Sequence, residues 1–233
     1  MTGLAFTKMH GLGNDFVVLD GLQKAFTPTA AQLQQLTNRR EGVGCDQVLL
    51  INPARDSHED FSVRIFNADG SEVEQCGNGM RCVATWLAQH KHVAPDAKNL
   101  RLGSKGGAVE ATLLAPDQVR INMGIPELEP ANIPFDAPHS AVRYAVDVDN
   151  QTVDLGAVSM GNPHAVIRVP DVVQAPVAQL GPALVAHARF PNGVNVGFLQ
   201  IINRRQIRLR VFERGAGETR ACGSGACAAV VWA

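Results

Sequence analysis

Apolar residues in this chain gather into short runs, each bounded by Gly, Pro, Asn or Asp. Continuous or alternating runs of this kind predict strands at 47–51, 61–66, 108–114, 118–123, 165–169, 197–202 and 207–212. Two stretches carry a helical period instead. Thr27-Pro28, with proline at the first helical position, predicts a helix opening there and running through AAQLQQLTNRR to residue 40. Beyond Cys76, the residues Met80, Val83, Ala84 and Leu87 recur at i, i+3, i+4 and i+7, the stripe of a helix packed on a core. Cys222 likewise precedes an Ala- and Val-rich helical start, so both cysteines stand where a loop ends and a helix begins.

The pattern repeats. RIFNADGSEVEQCGNG at 64–79 and RVFERGAGETRACGSG at 210–225 share Arg64/Arg210, Phe66/Phe212, Glu72/Glu218, Cys76/Cys222, Gly77/Gly223 and Gly79/Gly225 at one constant offset. More loosely, GNDFVVL from Gly13 matches GNPHAVI from Gly161, and VGCDQVLLI from Val43 matches GVNVGFLQI from Gly193. A repeat of this size predicts two homologous mixed α/β lobes, 1–120 and 121–233. The first lobe continues beyond its cysteine helix into the strands at 108–114 and 118–123, but the second stops at Ala233. By the repeat logic the second lobe is missing its last strands. Ala226, Ala229, Val230 and Trp232 are then expected to be less buried than their first-lobe counterparts.

Composition narrows the possible partners. With 45% hydrophobic and 18% charged residues, the 233-residue chain is long enough for a substantial core. Its net charge of −1 gives no electrostatic basis for binding nucleic acid or an anionic membrane. No stretch approaches a membrane span, and MTGLAFTKMHGLGNDF lacks the apolar run of a signal peptide, so a cytoplasmic location is expected. There the five cysteines should be thiols. The spacings Cys76/Cys82 and Cys222/Cys227 are not usual zinc-ligand spacings, and no metal is expected. Cys45, Cys82 and Cys227 read as small packing residues in helix interiors.

The first turn of a helix has unpaired N–H groups and partial positive charge, and glycines let a ligand approach that backbone. Such a site favours a carboxylate and favours thiolate over thiol. Acyl transfer wants one nucleophile and a histidine base. Two equivalent thiols suit a different task, removing a proton from one face of a carbon and returning one to the other. The weakly acidic α-carbon of an amino acid also needs its carboxylate held by preorganised donors.

KMHGLGNDF, FNADGSEVEQCGNGMRC, SMGNPH, NVGF and ERGAGETRACGSGAC, in this order, resemble the diaminopimelate epimerase family over residues 6–229. The resemblance implies an isomerase that needs no pyridoxal phosphate or other cofactor and interconverts LL- and meso-diaminopimelate, on the route to lysine and peptidoglycan precursors. It implies two pseudo-symmetric lobes, each a β-barrel-like sheet around a central helix, with the active site in the cleft between them, and a homodimer. It assigns Cys76 and Cys222 as the catalytic thiols and the N–H groups of Gly77, Asn78, Gly223 and Ser224 as the carboxylate cradle. Asn14, Gln47, Asn67, Asn162, Asn195, Glu213 and Arg214 match positions that hold the rest of the substrate. A guanidinium suits the distal carboxylate, and amides orient ammonium groups without adding charge. His164 and His10 are candidates for tuning the thiols, or for filling interior positions.

Two other readings stay open at this stage. One is another two-cysteine racemase of the proline or hydroxyproline type, although Arg214 and the spare asparagines argue for a second amino-acid centre. The other is an inactive truncated remnant that only binds a ligand or a partner.

Overall fold

In the computed structural model, which describes residues 4–24 and 26–233, the apolar runs become strands, and the run at 47–51 is covered on both faces. Met1–Gly3, part of the stretch assessed for a signal peptide, and Ala25 lie outside the described residues. The chain divides into two compact units, Met1–Met123 and Gly124–Ala233.

Unit 1 comprises β1 (Phe6–Gly11), β2 (Asn14–Asp20), α1 (Ala30–Thr37), β3 (Gln47–Pro53), β4 (Phe61–Asn67), β5 (Glu72–Val73), α2 (Gly77–Gln89), β6 (Asn99–Ser104), β7 (Gly107–Ala115) and β8 (Gln118–Asn122). The sheet order is β1-β2-β3-β4-β6-β7-β8, with β5 on β4. Along β2 and β3, Phe16, Val18, Leu49 and Ile51 share a core with α2, while Val17, Leu19, Val48 and Leu50 pack with α1 on the other face. That two-sided burial is why these strands read as unbroken apolar runs. Each fully buried Leu, Ile or Phe contributes roughly 1.5–3 kcal/mol. Helix α2 touches β1, β7 and β8, so strands from both ends of the sheet order close on it and the sheet curls around the helix.

Helix α1 begins later and ends earlier than its sequence suggests. Thr29, not Thr27, is the N-cap, and Thr29 and Gln32 form a capping box that satisfies two backbone donors. Pro28 therefore lies outside the helix, and Asn38 turns extended at φ −60°, ψ 120° to end it before Arg39.

Unit 2 contains a 3₁₀ turn at Pro130–Asn132 and then β9 (Tyr144–Val148), β10 (Gln151–Ser159), β11 (Pro163–Arg168), α3 (Val177–Val185), β12 (Asn195–Asn203), β13 (Gln206–Glu213), β14 (Gly217–Thr219) and α4 (Gly223–Trp232). Its sheet runs β14-β13-β12-β11-β10-β9. Val177, Leu180 and Leu184 of α3 join Ala165, Ile167, Val196 and Phe198 in one core. Helix α4 packs against β10 to β13. Gly156 on β10 admits the Trp232 indole, because a Cβ there would run into the ring.

The repeat extends to strand register. Ile65 and Phe66 pair with Val73 and Glu72, and Val211 and Phe212 pair with Thr219 and Glu218. The ion pairs Arg64–Glu72 and Arg210–Glu218 recur at 2.7 Å each. Pairs this open to solvent contribute at most about 1 kcal/mol, so their effect is mainly on geometry.

The burial expected for α4 is met at three of four positions. Ala226 is exposed, Val230 is 65% exposed and Trp232 is half-buried, against 0% for Met80, 0% for Ala84 and 3% for Trp86 in α2. Ala229 departs from the expectation, being as fully buried as Val83, because it lies on the side of α4 that meets the unit's own sheet. Among the described residues, no helix is long and apolar enough to cross a membrane.

Candidate functional site

In unit 1, Cys76 is the N-cap of α2, with extended backbone at φ −146°. Its Sγ accepts from Gly79 N–H at 3.4 Å, a task usually left to Ser, Thr, Asp or Asn. Gly79 makes this approach possible, since a Cβ there would press on Leu49 at 2.9 Å. Gly77 and Asn78, both buried, form the first turn, where backbone N–H groups lack helical partners.

Asn14 opens β2 directly after a two-residue hairpin turn, Leu12-Gly13, whose φ values of 56° and 85° are both left-handed. Its Oδ1 receives Asn78 Nδ2 at 3.4 Å and lies 3.9 Å from Cys76 Sγ as acceptor of the thiol proton. Gln47 and Asn67 face one another across β3 and β4, with Gln47 Nε2 donating to Asn67 Oδ1 at 3.0 Å. Asn67 Nδ2 donates to Ser71 Oγ at 3.2 Å. Gln47 Oε1 is buried with no hydrogen-bond partner among the described residues, an acceptor left open for a donor.

In unit 2, Cys222 is the N-cap of α4 but makes no side-chain cap bond, and its Sγ lies 3.5 Å from Ser224 Oγ. Burial pushes this thiol well above its ordinary range; the Glu213 charge adds to the rise and the Ser224 contact opposes it. The sequence argument that a helix start favours thiolate is therefore reversed at Cys222, where burial beside a carboxylate outweighs the terminus. Thr219 Oγ1 donates to Glu213, at the end of β13. Arg214 N–H donates to Asn195 Oδ1 at 2.9 Å, and Asn195 Nδ2 donates to Pro163 O at 3.3 Å. The Arg214 guanidinium bonds to Asn192 O, and its stem crosses Gly193, where a Cβ would meet it at 2.8 Å. His164 is buried beside Asn162, with Nε2 2.9 Å from Asn162 Oδ1. Burial, helped by the Arg214 charge, lowers the imidazole pKa to about 3, so the ring is neutral and donates to Asn162.

The structure thus gathers Asn14, Cys76 and Asn78 into one cluster with Gln47–Asn67 as a bonded pair, and joins Asn162 to His164, Asn195 to Arg214 and Cys222 to Glu213 and Ser224. His10 is exposed on β1, opposite Asp15, so it does not fill an interior position. Cys82 is buried in α2 with its thiol pushed up to about 11 by desolvation, and half-buried Cys227 is also raised by burial. Cys45 is equally buried and raised to about 11, but precedes β3 rather than lying in a helix. Sequence reasoning passed over Asp46, which binds Asn14, and Thr219, which binds Glu213. Their only signal is adjacency to Gln47 in GCDQ and to the second cysteine loop in GETRAC.

The solved structure of a probable proline racemase from Agrobacterium radiobacter K84 resembles this chain at a TM-score of 0.68, covering 98% of this chain and 77% of that one. At 20% identity this likeness defines the class of fold, a mixed α/β arrangement shared with racemases, and nothing narrower. The family model described as diaminopimelate epimerase matches residues 6–129 and 156–233. A diaminopimelate epimerase of Alkalilimnicola ehrlichii is 54% identical over 226 residues, covering 97% of this chain and 81% of that protein. One from Pseudomonas fluorescens is 53% identical over 228 residues, covering 98% and 82%. The chain belongs to the diaminopimelate epimerase family.

Proposed function

We propose that this isomerase interconverts LL- and meso-diaminopimelate using two cysteine bases, Cys76 and Cys222. The observation that carries the proposal is the duplicated helix start: each unit sets a thiol at the N-cap of a helix behind glycine-lined backbone donors. The N–H groups of Gly77, Asn78, Gly223 and Ser224 hold the reacting carboxylate. As the α C–H bond breaks, its electron pair moves toward that carboxylate, where the donors stabilise the growing charge. One sulfur, as thiolate, takes the proton. The other, as thiol, delivers its proton to the opposite face, and the two exchange protonation states. No electron leaves or enters, so two thiols suffice for the balance.

The side chains around the thiols fit the rest of the substrate. Gln47 Oε1, a buried acceptor lacking a partner, suits an ammonium group. Asn14, Asn67, Asn162 and Asn195 orient polar groups, with Glu213 as a further acceptor, and Arg214 receives the distal carboxylate through its planar fork. His164, neutral and buried, tunes the second thiol through Asn162. The proline-type reading is disfavoured, because that likeness is one of fold at 20% identity, against 53–54% for the epimerases.

The route to lysine and peptidoglycan precursors, a cytoplasmic location and a homodimer complete the proposal. Exposed Leu128, Val142, Val230 and Val231 in unit 2 support association with a second copy. The deciding experiment incubates the purified 233-residue chain with LL-diaminopimelate in D2O. Appearance of the meso isomer with deuterium at the inverted carbon is expected. Binding without exchange or inversion would favour the non-catalytic remnant.

A further inference from the structure

Asn14 presents two chemically different ends, and something must decide which faces Cys76. Asn14 Nδ2 donates to Asp46 Oδ2 at 2.8 Å. A carboxylate only accepts, so the amide nitrogen is committed to Asp46 and the carbonyl oxygen must point to the helix start. There it meets two donors, Asn78 Nδ2 and the Cys76 thiol.

Asp46 is itself held from several sides. Its Oδ2 also accepts from Asp15 N–H at 3.0 Å, and its Oδ1 accepts from Arg39 Nη2 at 2.7 Å. Its own N–H donates to Asp15 Oδ1 at 2.9 Å. Asp15 in turn takes both arms of Arg39, at 2.7 and 3.0 Å, and Lys8 at 2.8 Å. Burial opposes ionisation of Asp15, but the bonds from Arg39 and Lys8 hold its carboxyl well below the usual range. Two cations and two carboxylates thus form a balanced frame behind Asn14.

Unit 2 lacks this frame. The parallel pairs Phe16↔Gln47 and His164↔Asn195 align the two repeats, and in that alignment Asp46 corresponds to the buried Val194. Asn162, the counterpart of Asn14, is oriented by His164 instead. Any effect of Asp46 is therefore confined to the first thiol.

We propose that Asp46 is a positioning residue: by binding Asn14 Nδ2 it keeps the Asn14 carbonyl oxygen on Cys76 and so aims that thiol for proton transfer. The inference rests on the two-base reading for its catalytic consequence, but not for its geometry. The test uses Asp46→Asn, whose amide lets Asn14 turn its nitrogen toward the sulfur. Expected is a kcat lower by roughly tenfold to a hundredfold, the scale of a small misplacement, with KM within about twofold. An amide donor facing Cys76 supports the thiolate, so iodoacetamide labelling of Cys76, followed by peptide mass, should rise severalfold while Cys222 labelling stays constant. Unchanged kcat and an unchanged labelling ratio would overturn the proposal. So would faster labelling of both thiols with a lower melting temperature, which marks general loosening. If Asp46→Asn does not fold, Asp46→Ser is read by the same criteria. If the unaltered chain does not epimerise diaminopimelate, the function fails on its own and the labelling ratio alone decides the role of Asp46.

Discussion

In α2 the thiol closes onto its own helix, with Gly79 N–H reaching Cys76 Sγ, whereas in α4 the matching Gly225 backbone makes only a minor contribution at Cys222, which lies beside Ser224 and Glu213. The first sulfur faces a neutral amide oxygen backed by a balanced ionic frame. The second is buried next to the Glu213 carboxylate. The duplication has kept the backbone, down to strand register and the Arg–Glu pair, and has replaced the side chains that set proton affinity.

Alanine at either cysteine breaks this comparison most severely. Cys76→Ala and Cys222→Ala should each lower inversion by about a thousandfold or more, within the usual range for a lost acid or base. Activity near the unaltered rate in either variant would end the two-base scheme.

The helices themselves give the next contrast. Met80→Ala in the enclosed helix should cost about 2–5 kcal/mol in denaturant unfolding, while Val230→Ala, at 65% exposure, should stay within about 0.5 kcal/mol. Equal costs would mean that α4 is as covered in solution as α2.

His164 supplies an acid dependence that starts at the histidine range, at a position where unit 1 has Phe16. Its folded pKa of about 3 lies below the unfolded value of 6.5. Its contribution is therefore complete above pH 6.5 and declines as pH falls toward 3, by about 2 kcal/mol at pH 5. His164→Phe should flatten that part of the stability curve. A variant that loses stability with acid as steeply as the parent would assign the effect elsewhere.

The smallest expected effect is on affinity. Arg214→Lys keeps the charge but loses the planar fork, and should raise KM about tenfold while both thiols still react with iodoacetamide. Unaltered KM would remove Arg214 as the partner of the distal carboxylate.

Much of this architecture was legible because burial writes itself as apolar residues: 47–51 and 61–66, buried along most of their length, and the alternating 207–212 all became strands. The cysteine helices were legible too, the first from its glycine-rich loop and an i, i+3, i+4, i+7 stripe, the second from its glycine-rich loop and Ala- and Val-rich start. What escaped was set by competition the sequence does not display. Thr29 won the N-cap over the Thr27-Pro28 signal through its capping box with Gln32. β1 escaped because its exposed and half-buried residues alternate without an apolar run. The lowered proton affinity expected for Cys222 is opposed by its burial and then by Glu213 beside it, both revealed only by the folded chain. Asp46 was invisible for a similar reason: an acidic residue next to Cys45 says nothing until Asn14, far away in sequence, is seen to bind it.

The hairpin tip at Leu12-Gly13 offers a handle for engineering. A leucine with φ of 56° occupies a conformation that costs most residues about 1 kcal/mol or more, and at 71% exposure its side chain recovers little by burial within its own unit. Asparagine or glycine adopts that geometry more readily and is the usual choice in mirror-image two-residue turns. Stability is thus held in reserve two residues before Asn14, where a designer could firm the scaffold without touching a thiol, a cap or the frame around Asp46.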